Sequence, residues 1–242
     1  MTNHDEGWGI LRSQQDEDEA RGAAVADPAR YHTSIAAREL HWFDATGEQW
    51  LSRATQGDWQ GWHASSGALA SADTAWTPWS SALDDSAAPF YRWFVDGYTN
   101  ACFNLLDRHV LSGRGGHQAL VFEGDRWDPS KNGGRGGPVF EQRLSYRELL
   151  IEVALRARVL AKLGLRCGDR IALNLPNILE QIYYILAAQR LGVIYTPVFG
   201  GFSAKTLSDR IHDAGAKVVI TADGGYRNAE VVPYKKIGRA HV

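Results

Sequence analysis

Two glycine-bearing loops carry the residues of this chain best suited to hold a charged ligand. The first, Val198-Phe199-Gly200-Gly201-Phe202-Ser203, joins an apolar run to a helix-capping serine. Without Cβ atoms, Gly200 and Gly201 let a ligand or another backbone segment come close. The helix start behind them offers unpaired N–H groups to carbonyls or anions. The second loop, Ala222-Asp223-Gly224-Gly225-Tyr226-Arg227, places an arginine on a glycine turn just after the apolar run ending near Thr221. A guanidinium there can grip a phosphate through paired hydrogen bonds. Spacing alone favours plainer roles: a tight strand-to-helix turn for the first loop and an ordinary surface turn for the second.

Other chemistries find no support. Gly200 to Thr206 (GGFSAKT) imitates the end of a phosphate-binding P-loop, but Ala204 stands where glycine should precede Lys205. Gly113-Arg114-Gly115 and Gly134-Arg135-Gly136 each lack the third glycine of a dinucleotide fingerprint, having Gln118 and Val139 instead. No G-x-S-x-G element supports a serine hydrolase, and no His, Cys or carboxylate set has metal-ligand spacing. Asp107, Arg108 and His109 fall in an expected helix, where three consecutive side chains point in different directions, so they read as structural.

The elements that must position the loops follow from periodicity. Ser145 stands three residues before Glu148, the signature of a capping box. The helix it opens should bury Leu149, Val153, Ala157 and Leu160 and end near Gly164. Arg170 to Leu175 reads as a buried strand closed by Pro176. A helix follows over roughly Ile178 to Leu191, then a strand over Val193 to Val198. Ser203 caps a helix reaching about Asp213, and Lys217 to Thr221 is the next strand. This alternation implies right-handed crossovers and a parallel sheet covered by helices, whose ligands sit beyond the carboxyl ends of the strands.

Upstream, Pro89 to Leu111 is expected to be a helix, because Tyr91, Phe94 and Tyr98 share a face continued by Phe103, Leu106 and Val110. Ala119 to Glu123 and Phe140 to Leu144 are candidate strands. Asp125 to Pro138, rich in glycine, reads as a mobile surface loop. Met1 to about Ala29 is a polar arm or solvated helix, Tyr31 to about Trp62 an irregular lobe pinned by aromatic rings, and Ser65 to Ala88 an extended connection. All 9 tryptophans precede residue 130, so the composition changes partway along the chain.

At 242 residues, with 44% hydrophobic and 22% charged, the chain is long enough to bury a sizeable core and falls within the ordinary globular range. A net charge of −2 shows no bias toward nucleic acid or an anionic membrane. No run approaches the length of a membrane span. The start lacks the basic-then-apolar pattern of a secretory signal. Cys102 and Cys167 are too few for a disulfide framework, so a reducing cytoplasm fits best.

Seven stretches in order carry a family resemblance: Pro89 to Phe94, Asn104 to His109, Leu144 to Leu149, Gly168 to Ala172, Pro197 to Ser203, Asp209 to Ala216, and Thr221 to Arg227. Together they resemble the amino-terminal part of the AMP-forming acetyl- and propionyl-CoA synthetases of the adenylate-forming superfamily, over about Ala26 to Lys236. Glu6 to Arg12, Thr99 to Asn104, Asn177 to Tyr184 and Tyr226 to Glu230 are more similar to the ligase part of the propionyl-CoA synthases of the 3-hydroxypropionate pathway. Those are fused enzymes with hydratase and NADPH-dependent reductase parts.

The resemblance implies a two-step reaction, in which a short-chain carboxylate and MgATP give an acyl-adenylate and CoA then displaces AMP. It implies that the backbone at Phe199, Gly200 and Gly201 lies along CoA and that Arg227 meets a CoA nucleotide phosphate. Where acetyl-specific members often carry a second arginine, this chain has Glu230. The family's ATP phosphate loop, acid pocket, ribose-binding aspartate and catalytic lysine would lie further along, so no catalytic residue is assigned and the chain alone is expected to be inactive. NADPH is implied only if a reductase part is fused downstream.

The expected class is therefore α/β: a polar arm (1–30), an irregular Trp-rich lobe (31–88), then the first βα units of a truncated parallel-sheet adenylate-forming domain (89–236). Residues 237–242 read as translated sequencing adapter. The expected partners are small-molecule substrates and the missing carboxy-terminal parts of the same enzyme, with no nucleic acid or membrane. The alternatives are a self-contained CoA- or nucleotide-binding module and an interaction lobe using the Trp-rich surface.

Overall fold

The computed structural model describes residues 13–43, 79–198 and 203–239. The chain divides into two compact units, Met1–Asp44 with Ala64–Thr99 and Ala45–His63 with Asn100–Val242.

The described part of the first unit opens with helix α1 (Gln14–Ala26), which buries no residue. It is held at its start by a reciprocal cap between Ser13 and Asp16. Asp27 caps helix α2 (Pro28–Glu39), whose proline occupies the first turn, where its missing N–H is harmless. Strands β1 (Ser81–Asp84) and β2 (Arg92–Val95) pair antiparallel. Trp42, Trp79 and Ala36 are buried together, with Phe94 against them, and the Trp42 indole N–H donates to the Ala36 carbonyl at 2.9 Å.

This arrangement corrects two expectations. Residues 89–100 are not helical; the helix expected over Pro89 to Leu111 begins only at residue 101. Phe94 is recruited to the Trp42–Trp79 cluster, 5.2 and 4.9 Å from the two rings. The chain turns there through left-handed backbone at Phe94 (φ 49) and Asp96 (φ 62). A tertiary contact thus overrides a helical period. The expected connection from Ser65 to Ala88 includes strand β1, and the rest of it, through residue 78, lies outside the described residues, as does most of the lobe expected up to Trp62.

The second unit begins with a helical segment over residues 101–114 that widens into π-helical turns at Phe103–Asp107 and Val110–Arg114. Strand β3 (Gln118–Glu123) pairs antiparallel with β6 (Glu141–Ser145). Between them, the stretch expected to be a mobile loop forms a small ladder of β4 (Trp127–Asp128) and β5 (Gly137–Pro138). Its glycines serve packing as well as turning. A Cβ on Gly136 would stand 2.3 Å from the Trp127 ring nitrogen, so only glycine lets the indole lie down there.

Ser145 and Glu148 form the expected capping box on helix α3 (Tyr146–Lys162), and Leu149, Val153, Ala157 and Leu160 are all buried. Gly164, left-handed at φ 81, lies just beyond the helix end. Strand β7 (Arg170–Asn174) is buried from Ile171 to Asn174 and is followed by helix α4 (Leu179–Leu191), capped by left-handed Gly192. Strand β8 (Ile194–Pro197), helix α5 (Ala204–Ala214) with Ser203 as its cap, and strand β9 (Val218–Thr221) complete the alternation. A hairpin of β10 (Gly225–Arg227) and β11 (Glu230–Val232) and helix α6 (Tyr234–Arg239) follow.

Strands β7, β8 and β9 form a parallel sheet in the order β8-β7-β9. The expected α/β class with a parallel sheet holds. The core clusters Leu149, Val153 and Leu160 of α3 with Leu186 and Leu191 of α4 and Ile171 and Leu173 of β7. Both cysteines are free, Cys102 buried and Cys167 exposed. Among the described residues, no helix is long and apolar enough to cross a membrane.

Candidate functional site

The sheet order sets where a ligand can go. The connection from β7 runs to one neighbour, β8, and the next crosses back to β9 on the other side. Such a reversal opens a crevice at the carboxyl ends of the strands. A cavity of about 500 Å³ lies there, between Leu175, Pro176 and Asn177 after β7, Pro197 and Val198 at the end of β8, and Tyr226 and Arg227 of the hairpin after β9. Glu123, Asp125, Gln181 and Tyr234 complete its wall.

Arg227, on the glycine turn beyond the end of β9, lines this cavity. One glycine of that turn explains the approach. A Cβ on Gly225 would lie 2.5 Å from the Pro176 ring, so the hairpin can cross the end of β7 only with glycine at this position. Arg227 is the last residue of β10 and faces Glu230 in register across the hairpin. Glu123 places a carboxylate on the same cavity wall. Phe199, Gly200 and Gly201 lie outside the described residues.

The residues that hold this hairpin carry no local sequence signal. Asp125 accepts hydrogen bonds from the backbone N–H groups of Asn228 (3.3 Å) and Ala229 (2.6 Å). The Arg126 guanidinium lies over the Tyr226 ring at 5.6 Å, within cation–π range. These partners are about a hundred positions apart, and no local pattern announces them. Asp125, Pro176, Asn177 and Tyr226 also border a second, more apolar cavity of about 410 Å³, walled by Phe122, Val139, Phe140 and Ile178. Among the described residues, no group of His, Cys, Asp and Glu side chains is placed to hold a metal ion.

A cavity at the carboxyl ends of the strands of a parallel sheet is the usual ligand position of an α/β fold. Among known families, the model of the AMP-binding enzymes matches residues 113–240, more than half of the chain, and that of the acetyl-coenzyme A synthetase N-terminus matches residues 67–105. The chain belongs to the AMP-binding enzyme family. It is 43% identical over 190 residues to an acetyl-coenzyme A synthetase of Methylobacillus flagellatus, covering 78% of this chain and 27% of that protein. The acetyl-coenzyme A synthetase of Mycobacterium tuberculosis is 44% identical over 160 residues, 66% of this chain and 23% of its own. That of Rhodopirellula baltica is 34% identical over 226 residues, 93% and 28%. The chain spans about a quarter of the length of these relatives.

Proposed function

We propose that this chain supplies the amino-terminal part of a cytoplasmic AMP-forming acid–CoA ligase, with the cavity at Arg227 receiving the phosphate-bearing end of CoA. In the first step a carboxylate oxygen attacks the α-phosphorus of MgATP, giving an acyl-adenylate and releasing pyrophosphate. In the second, the CoA sulfur attacks the acyl carbonyl and AMP leaves. The membership in the AMP-binding enzymes and the relatives named acetyl-coenzyme A synthetase support this chemistry. The observation that carries the site is the placement of Arg227 on the cavity wall beyond the strand ends.

Arg227 supplies a fixed positive charge with several N–H donors, matched to a phosphate. Phe199, Gly200 and Gly201, following Val198 of the cavity wall, would run along the ligand with their backbone. The acid is a short-chain carboxylate. It is 3-hydroxypropionate, propionate or acetate; the stretches around Thr99, Asn177 and Tyr226 resemble a propionyl-CoA synthase, and NADPH would enter only through a fused reductase part. The ATP site and the catalytic lysine belong to the rest of the ligase, so the chain alone should release no pyrophosphate from ATP and acid.

The test is Arg227→Ala in the ligase that contains this sequence. The KM for CoA should rise roughly tenfold, as loss of a charge-assisted contact implies, while the KM for ATP stays near its parent value. Equal changes in both would sink the assignment.

A further inference from the structure

We propose that Asp125 is a positioning residue, whose carboxylate fixes the Asn228-Ala229 turn and thereby holds Arg227 at the cavity. This inference rests on reading that cavity as the CoA site. The turn needs an external hold. Asn228 (φ 51) and Ala229 (φ 63) both adopt the left-handed conformation of a two-residue hairpin turn. Asparagine tolerates it, but alanine at the second position carries a Cβ where glycine would be favoured. The backbone N–H groups of these two residues point at one carboxylate, with Oδ1 accepting from Asn228 and Oδ2 from Ala229.

The support behind Asp125 is itself fixed. The Gly124 N–H donates to the Phe140 carbonyl at 2.8 Å, and the Val139 N–H donates to the Arg126 carbonyl at 2.7 Å. These bonds prolong the β3–β6 pairing on either side of Asp125. Arg126, stacked on Tyr226, adds a second tie to the same hairpin. Arg227 immediately precedes the turn, so a turn that shifts carries the guanidinium with it. Glu230 faces Arg227 in register and Glu123 stands on the cavity wall.

The test uses the full 242-residue chain, with CoA titrated by nuclear magnetic resonance, in the parent and in Arg227→Ala, Asp125→Asn and the double variant. Asp125 is exposed, so the asparagine variant should fold, its unfolding midpoint falling only slightly. It should bind CoA roughly fivefold to tenfold more weakly, as expected for loss of a charged acceptor. The double variant should bind no more weakly than Arg227→Ala alone, because Asp125 acts through the arginine. Amide exchange at Asn228 and Ala229 should quicken, and Ala229→Gly should restore much of the lost affinity in the asparagine variant. Additive losses, or Asp125→Asn binding CoA like the parent while Arg227→Ala does not, would overturn the role of Asp125 and leave the site reading intact. No CoA-dependent change at Arg227 in the parent would remove the site reading, and the proposed role with it.

Discussion

Asp107 and Arg190 form a buried ion pair across 83 positions of sequence, with one guanidinium nitrogen 2.8 and 2.6 Å from the two carboxylate oxygens. Their side chains are 1% and 0% exposed. The pair ties a π-helical turn to helix α4. Burial pushes the Asp107 carboxyl above its ordinary value, and the facing guanidinium opposes that shift. Removing one partner strands the other, so Arg190→Met should destabilise the second unit by about 3–5 kcal/mol. Asp107→Leu combined with Arg190→Met should recover most of that loss. Urea unfolding decides it: a single variant that unfolds at the parent midpoint would mean the pair contributes nothing.

His109 lies nearby and confers a pH dependence. Its Nδ1 is 2.7 Å from an Arg114 guanidinium nitrogen, and the Tyr146 ring centroid lies 4.8 Å from its own. Burial first, then the Arg114 and Arg108 charges, lowers its pKa from 6.5 to about 4. The unfolded chain therefore binds the extra proton between those values. The stabilising contribution is complete above the unfolded pKa and is lost as pH falls towards the folded one. Unfolding midpoints should decline between about pH 6.5 and about pH 4, and His109→Asn should flatten that decline. An unchanged slope in the variant would exclude His109 as its source.

Gly225 tests the hairpin's approach to β7. In Gly225→Ala the new methyl would meet the Pro176 ring at 2.5 Å, and neither backbone segment can step aside cheaply. The hairpin should be pushed off the strand end, displacing Arg227, with a stability loss of about 1–3 kcal/mol, typical of overpacking. CoA binding should weaken by a similar factor to that in Arg227→Ala. Parent-like binding in Gly225→Ala would mean that Arg227 does not depend on this contact.

The second unit was largely legible because its signals are local. The Ser145–Glu148 cap, the apolar face from Leu149 to Leu160 and the left-handed glycines at helix ends each act within a few residues. Residues 89–100 mislead because Tyr91, Phe94 and Tyr98 satisfy a helical period, while the packing that claims Phe94 comes from Trp42 and Trp79, outside the reach of any local pattern. Gly136 gave the same false cue in another form: it looked like flexibility and accommodates an indole. At the site, the glycines before Arg227 announce only a turn, its phosphate role being implied by the family resemblance, and Asp125 gives no signal at all, since its partners lie 103 and 104 positions away.

The edge-to-face pair of Trp42 and Trp79, 4.9 Å between centroids, has a spectroscopic consequence. Two indoles this close couple their excited states and give a paired signal in circular dichroism that separated tryptophans lack. Both rings belong to the first unit. The part of the couplet that disappears in Trp42→Phe therefore follows the packing of that unit, and its melting can be tracked by light while substitutions elsewhere are scored by other means.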